Sequence, residues 1–234
     1  MRIWVDAGLL AGSYFIGAIP FGLIIVRLMT GKDIRSVASG RTGGTNAMRA
    51  AGPIAGVLTA ALDILKAAGT VWLARAFAGN VWIQTLAPIA AILGNNYSIF
   101  LIERGADGQM QLRGGAGGAA AGGGTFGLWA PAGLILIPFA FLVWYGVGYA
   151  SITTLSVGVV SILILGVRAA LGLGPWEYVL YGVLAEALLV WALRPNIKRL
   201  MEGTERRHGL PVMLQKRREN RLKAKTGGSN NGRI

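Results

Sequence analysis

Ile3-Trp-Val-Asp-Ala-Gly-Leu-Leu-Ala-Gly-Ser-Tyr-Phe-Ile-Gly-Ala-Ile-Pro-Phe-Gly-Leu-Ile-Ile-Val26 carries one charged residue, Asp6, in 24 positions. A helix of about 20 apolar residues is what the hydrocarbon core of a bilayer requires. The run has no A-x-A-like cleavage signal and contains Pro20, so it reads as a retained first span and not as a removed leader. The pattern repeats outward from it. With a first span near 4–26, further apolar stretches place spans near 53–74, 81–101, 116–130, 131–148, 151–169 and 176–193, seven in all. Across the chain 53% of residues are hydrophobic and 14% charged, a balance that suits lipid better than water. The expected fold class is therefore all-α, a single bundle of about seven transmembrane helices. The 36 glycines fit close helix packing, because small residues let backbones approach.

The fourth span is the least regular. Gly114 to Gly124 is Gly/Ala-rich, which predicts a short or broken helix lining a polar cavity, where irregular backbone is tolerated. Orientation follows from the basic residues: Arg27, Lys32, Arg35, Arg41 and Arg49 in the first loop, Arg104 and Arg113 in the third, and twelve Lys and Arg from Arg194 onward. By the positive-inside rule these segments are cytoplasmic and the N-terminus is outside. Against its twelve bases the tail has three acids, a net +9 of the chain's +13. The domain reading is a membrane domain over 1–205 and a basic, disordered cytoplasmic tail over 206–234. No repeat of 20 to 50 residues argues for duplicated transporter halves.

Composition also bounds the chemistry. With no cysteine and a single histidine, Cys-based and His-based metal sites are excluded, as is a thiolate nucleophile. No metal or cofactor is expected. What the three cytoplasmic segments offer instead is Arg or Lys mixed with Gly, Ser, Thr and Asn. Ser39-Gly-Arg-Thr-Gly-Gly-Thr-Asn-Ala-Met-Arg49 holds the parts of an anion-binding nest. Arg113-Gly-Gly-Ala-Gly-Gly118 places bare amides before a helix, and Arg194-Pro-Asn-Ile-Lys-Arg-Leu-Met-Glu-Gly-Thr-Glu205 adds charge and an amide at the end of the last span. Ordinary positive-inside loops with glycine turns are the bland alternative for any one of them.

Gly12-Ser-Tyr-Phe-Ile-Gly-Ala-Ile-Pro-Phe-Gly22, Asp33-Ile-Arg35, Ser39-Gly40, Gly43, Thr45-Asn46 and Arg49 together resemble the opening of the bacterial acyl-phosphate:glycerol-3-phosphate acyltransferase family. Further matches follow in order: Leu62-Asp63-Ile-Leu-Lys66, Phe100-Leu101, Arg113-Gly114-Gly115, Tyr149-Ala-Ser151, Asn196-Ile197, Arg199-Leu200 and Gly203-Thr204-Glu205. The resemblance implies a seven-helix enzyme of the bacterial inner membrane. It would transfer a fatty acyl group from acyl phosphate to the 1-hydroxyl of glycerol 3-phosphate, giving lysophosphatidate. It further implies catalytic roles for Ser39 and Arg49 in holding substrate phosphate, with Gly43, Gly44, Thr45, Asn46, Arg113, Gly114 and Gly115 completing the cradle and Ser151 and Asn196 closing it. Acyl phosphate is already activated, so orientation and charge neutralisation suffice without a covalent nucleophile.

The chain departs from the family pattern at several positions. Gly94-Asn-Asn-Tyr-Ser-Ile-Phe-Leu101 lacks the family's His and Pro, an extra stretch from Ile102 to Gln111 follows, Ala116 stands where the family has Lys, and Leu193 where it has His. Arg104, Arg113 and Lys198 are the candidate replacement cations. Two other functional classes fit these departures: a catalytically impaired relative serving as a lipid-binding or partner protein, and a small transporter. Asp63 and Lys66, three apart within a span, read as a structural ion pair. His208 reads as a solvated tail histidine, and Glu186 as either a cavity-lining group or a partner for a neighbouring helix. Membrane lipid is the expected partner of the basic tail, and nucleic acid is not, because no aromatic residue follows Trp191 to stack on bases.

Overall fold

A computed structural model describes residues 2–104 and 108–227. The first apolar run forms two helices, α1 (Arg2–Ala18) and α2 (Phe21–Thr30), broken at Pro20. Proline has no amide to donate and disfavours helical backbone in the residue before it. The break leaves the Ala18 carbonyl without its usual helical donor and the Ile19 carbonyl with the Phe21 amide at 3.1 Å, and side chains supply further donors. Ser98 Oγ donates to Ala18 O at 2.6 Å and Lys66 Nζ to Ile19 O at 3.0 Å.

After a loop carrying one 3-10 turn, Ile34–Ser36, the chain forms α3 (Gly44–Ala51), α4 (Pro53–Phe77) and α5 (Val81–Asn96). A two-stranded antiparallel hairpin follows, β1 (Ile102–Arg104) with β2 (Met110–Leu112). Then come α6 (Gly118–Leu128), α7 (Ala132–Gly146), α8 (Ala150–Ala170), α9 (Glu177–Met201) and α10 (Leu210–Gly227). Residues 3–30, 53–77, 150–170 and 177–201 are four helical segments long and apolar enough to cross a membrane, and α7 is a shorter apolar helix. Helices also stand at the other expected spans, as the 16-residue α5 and the 11-residue α6. The third expected span ran to residue 101, but α5 stops at Asn96, and the extra stretch after it is the hairpin.

Small residues set the packing. A Cβ on Gly17 would lie 2.1 Å from Ala91 O, and one on Gly94 would lie 2.1 Å from Tyr14 O, so α1 and α5 touch backbone to backbone. The glycines of α6 do the same against α4, Gly123 facing Ile64 and Gly127 facing Ala68. Helix α6 is thus short, as its composition predicts, and several of its glycines serve close packing. Ala120, Ala121 and Leu128 lie in the main core with Val71, Ile92, Leu165, Tyr181 and Leu189. Close packing accounts for Gly123, Gly124 and Gly127, glycines of the stretch and helix that the sequence reading set beside a cavity.

Within that core Lys66 reaches three acceptors: Asp63 Oδ1 at 2.7 Å, Asn95 Oδ1 at 2.9 Å and Ile19 O. An ammonium has three protons to donate, and all three are used. The Asp63–Lys66 pair is structural, as expected, and it ties α4 to α5 and to the α1–α2 break. Glu186 packs onto α8, where its carboxylate fills the space left by Gly158. The basic tail, expected to be irregular from 206, carries helix α10 over 210–227; residues 228–234 lie outside the described residues.

Candidate functional site

Every segment singled out for phosphate chemistry meets at one end of the bundle. Helices α8 and α9 run antiparallel, and their register is fixed by Gly158 against Glu186 and Gly182 against Ile162. This register sets Ser151, in the first turn of α8, level with Leu193 and Asn196 near the end of α9. The first loop and the Gly-rich loop join them through Arg41. Its Nη1 donates to Gly115 O at 3.1 Å and its Nη2 to Ala192 O, while Thr42 N–H donates to Gly114 O at 3.3 Å. One guanidinium thereby bridges two loops and a helix.

The sequence reading counted Arg41 as a topogenic charge and as part of the Ser39–Arg49 nest segment, with no individual role. Its fixed fork of donors is what lets it span two carbonyls. Burial holds its guanidinium below the usual range, with Arg199 and Arg113 pushing the same way and Tyr97 and Glu205 opposing. Arg49, half-buried on α3, is lowered for the same first reason, with Arg206 adding to it and Glu205 offsetting it. Glu205 stands between these groups. Its carboxylate accepts from Asn196 Nδ2 at 2.8 Å and from Arg199 Nε at 2.9 Å, and its side chain is 7% exposed. Arg199 pairs with this carboxylate, whose charge also acts on Arg41 and Arg49, and the arginines outnumber it, an excess of positive charge suited to a phosphate.

The residues expected to bind substrate divide into two groups. Ser151 Oγ is buried without a hydrogen-bond partner, as are Asn196 Oδ1, Asn96 Nδ2 and Asn46 Oδ1. Unpaired buried polar atoms cost about 1 to 3 kcal/mol each, so four at one end of the bundle point to a polar ligand. Ser39 is exposed, its Oγ accepting from Arg41 N–H. Gly44 and Thr45 open α3, where first-turn amides have no helical acceptor. Gly43 caps that helix.

Other expected cradle residues are committed to the scaffold. Asn46 is buried, and its Nδ2 donates to the Ile34, Val37 and Arg41 carbonyls at 3.1, 3.0 and 2.9 Å; it shapes the first loop from within. The Gly115 amide donates to Asn95 O at 2.8 Å, and Gly114 packs so closely on the end of α5 that a Cβ would lie 2.3 Å from the same oxygen. These glycines are required for close approach more than for an open cradle. Asn95 carries the load further, since its side chain accepts from Lys66. It occupies the position where the family resemblance calls for His.

Arg113 pairs with Glu103 of the hairpin at 3.3 Å, and Glu103 also accepts from Arg35 at 2.8 Å. Lys198 is 79% exposed beside Glu202, and Arg104 is exposed. The cation that does lie beside Ala116 is Arg41, through its bond to Gly115 O. His208 corrects the sequence reading outright. It is 9% exposed, with its ring against Trp144 at 4.7 Å between centroids, and burial followed by the Arg49 charge pushes its imidazole down to about 4. The tail folds back onto the end of α7, and that is what removes this side chain from water.

Apolar helices of membrane-spanning length, close-packed through glycine, with a polar and strongly basic cluster at one end, are those of an integral membrane protein. The sequence model of the family described as glycerol-3-phosphate acyltransferase matches residues 7–203, and the chain belongs to that family. The glycerol-3-phosphate acyltransferase of Rubrobacter xylanophilus is 35% identical over 197 residues, covering 84% of this chain and 92% of that one. Glycerol-3-phosphate acyltransferase 2 of Moorella thermoacetica is 38% identical over 210 residues, with 88% and 98% covered. Among solved structures, the glycerol 3-phosphate form of PlsY, an integral membrane glycerol 3-phosphate acyltransferase, superposes with a TM-score of 0.73 at 31% identity, covering 90% of this chain and 98% of that one. The lysophosphatidic acid form gives 0.71 at 30% identity.

Proposed function

We propose that the protein is a bacterial inner-membrane acyltransferase that transfers a fatty acyl group from acyl phosphate to the 1-hydroxyl of glycerol 3-phosphate, releasing lysophosphatidate and inorganic phosphate. The observation that carries this reading is the convergence, in a chain of this family, of Arg41, Arg49 and Arg199 with the unpartnered Ser151 Oγ and Asn196 Oδ1. Two phosphates meet in such a reaction, one on each substrate, and clustered guanidiniums offset their repulsion. Ser151 Oγ and the first amides of α3 suit phosphate oxygens, and Asn196 Oδ1 suits a hydroxyl donor. The hydroxyl oxygen attacks the acyl carbon and the carbon–phosphate oxygen bond breaks. The departing phosphate takes the hydroxyl proton, so no protein nucleophile is needed. Ser39, exposed on the first loop, and Arg49 bind the incoming phosphate.

The same reading takes α1–α2 as one crossing and α4 to α9 as six more, seven in total, with the N-terminus outside and the basic end cytoplasmic by the positive-inside rule. Glycerol 3-phosphate is a cytosolic solute, so the site must face that side. The departures at Ala116 and Leu193 are read as a rearranged site, with Arg41 supplying charge beside position 116. Leu193 is buried.

Arg49 gives the direct test. Arg49→Ala is expected to lower kcat/KM for glycerol 3-phosphate by at least about tenfold, the equivalent of about 1.4 kcal/mol of transition-state stabilisation, with normal protein levels in the membrane. Unchanged steady-state kinetics would remove Arg49 from the site.

A further inference from the structure

The family match ends at residue 203, yet the chain continues to residue 234 and turns back across the site. Glu205 lies among the site arginines. Arg207 Nε then donates to Tyr149 Oη at 2.6 Å, and its guanidinium lies over the same ring at 5.3 Å. His208 N–H donates to Gly148 O at 2.9 Å, with the His208 ring seated on Trp144. Gly209, with φ 66°, comes so near α7 that a Cβ would lie 2.5 Å from Tyr145 O. Residues 204–209 form a strap over the α7–α8 corner, two residues from Ser151.

Helix α10 leaves this strap at the edge of the apolar surface. Its exposed Leu210, Met213 and Leu214 begin beside exposed Phe141, Leu142, Tyr145 and Val147 at the end of α7, and the Tyr145 hydroxyl meets Met213 Sδ at 3.7 Å. From Gln215 to Lys225 the sequence then holds six Lys and Arg against one Glu, Arg217 and Arg218 being exposed. An apolar first turn followed by dense positive charge is the composition of a segment lying on a membrane surface.

We propose that α10 docks on an anionic phospholipid surface, and that this docking holds the 204–209 strap, and with it Glu205, over the phosphate site. The proposal rests on the membrane orientation and site given under Proposed function. Charge complementarity selects anionic lipid. The apolar triplet continuous with the face of α7 selects a bilayer over nucleic acid, and so does the lack of aromatic residues after Trp191 for stacking on bases.

Because the chain has no cysteine, Leu214→Cys gives one labelling position, and Asn220→Cys a second should the first perturb docking. The full-length protein, labelled with an environment-sensitive fluorophore, is reconstituted in phosphatidylcholine vesicles with or without phosphatidylglycerol, alongside a lipid-borne quencher. Blue-shifted, quenched emission is expected only in the anionic vesicles. It should reverse as the Debye length falls from about 10 Å at 0.1 M to about 3 Å at 1 M salt. R217Q/R218Q should weaken docking by about 25-fold, roughly fivefold per charge, and should narrow the difference in acyltransferase rate between the two vesicle types.

Identical emission in both vesicle types overturns the proposal, as does a shift indifferent to salt and to R217Q/R218Q. A shift produced by RNA and not by anionic lipid overturns it in favour of a nucleic-acid partner. The fluorescence does not depend on acyl transfer, so a protein that docks without catalysing separates failure of the assigned reaction from failure of this proposal.

Discussion

Arg41→Ala should lower kcat/KM by about a hundredfold, the loss typical of removing one preorganised electrostatic contact from an active site. The guanidinium joins the Gly-rich loop, through Gly115 O, to α9, through Ala192 O. It also brings its charge to the position where the family carries a lysine. Arg41→Lys is expected to restore little, because a single ammonium on a flexible stem cannot hold both carbonyls in one geometry. Steady-state kinetics for both substrates, with thermal unfolding as a check on the fold, measure the effect. Parent-like kinetics in Arg41→Ala would mean that these loops are organised by something else.

Lys66→Met should act on folding before it acts on rate. Breaking one side of a buried ion pair costs about 3 to 5 kcal/mol, because the remaining charge is left without compensation, and here the substitution also strands Asn95 Oδ1. The yield of monodisperse protein in detergent and its unfolding temperature are expected to fall sharply. D63N/K66M should recover part of the loss, since the orphaned carboxylate is gone while Asn95 Oδ1 remains unpaired. A full recovery would show that the pair acts alone; no loss in Lys66→Met would show that the pair does not hold α4 to α5.

The bundle was legible in the sequence, and the site only in part. Long apolar runs announce spans because lipid imposes one requirement on every residue, and Pro20 marks a break because its chemistry is local. Arg41 and Arg49 both read as loop charges, and nothing in their neighbours says which one spans two segments. That difference depends on Gly115 and Ala192, 74 and 151 residues away. Gly114 and Gly115 misled for a related reason: a glycine kept for close approach to Asn95 O and one kept to open amides look the same in a sequence. His208 was misplaced because its burial comes from Trp144 across a fold-back that no periodicity encodes. Asn46 fell between the two cases. Its residue type marked the loop correctly, but its Nδ2 serves the carbonyls of that loop, leaving only Oδ1 free for a ligand.

Acyl transfer at the arginine cluster is open to one decisive assay, in which purified protein is given acyl phosphate and labelled glycerol 3-phosphate. Labelled lysophosphatidate and inorganic phosphate are expected in equal amounts, with no added metal, at a rate that drops in both Arg41→Ala and Arg49→Ala. Folded, monodisperse protein that makes no lysophosphatidate from acyl phosphate would contradict it.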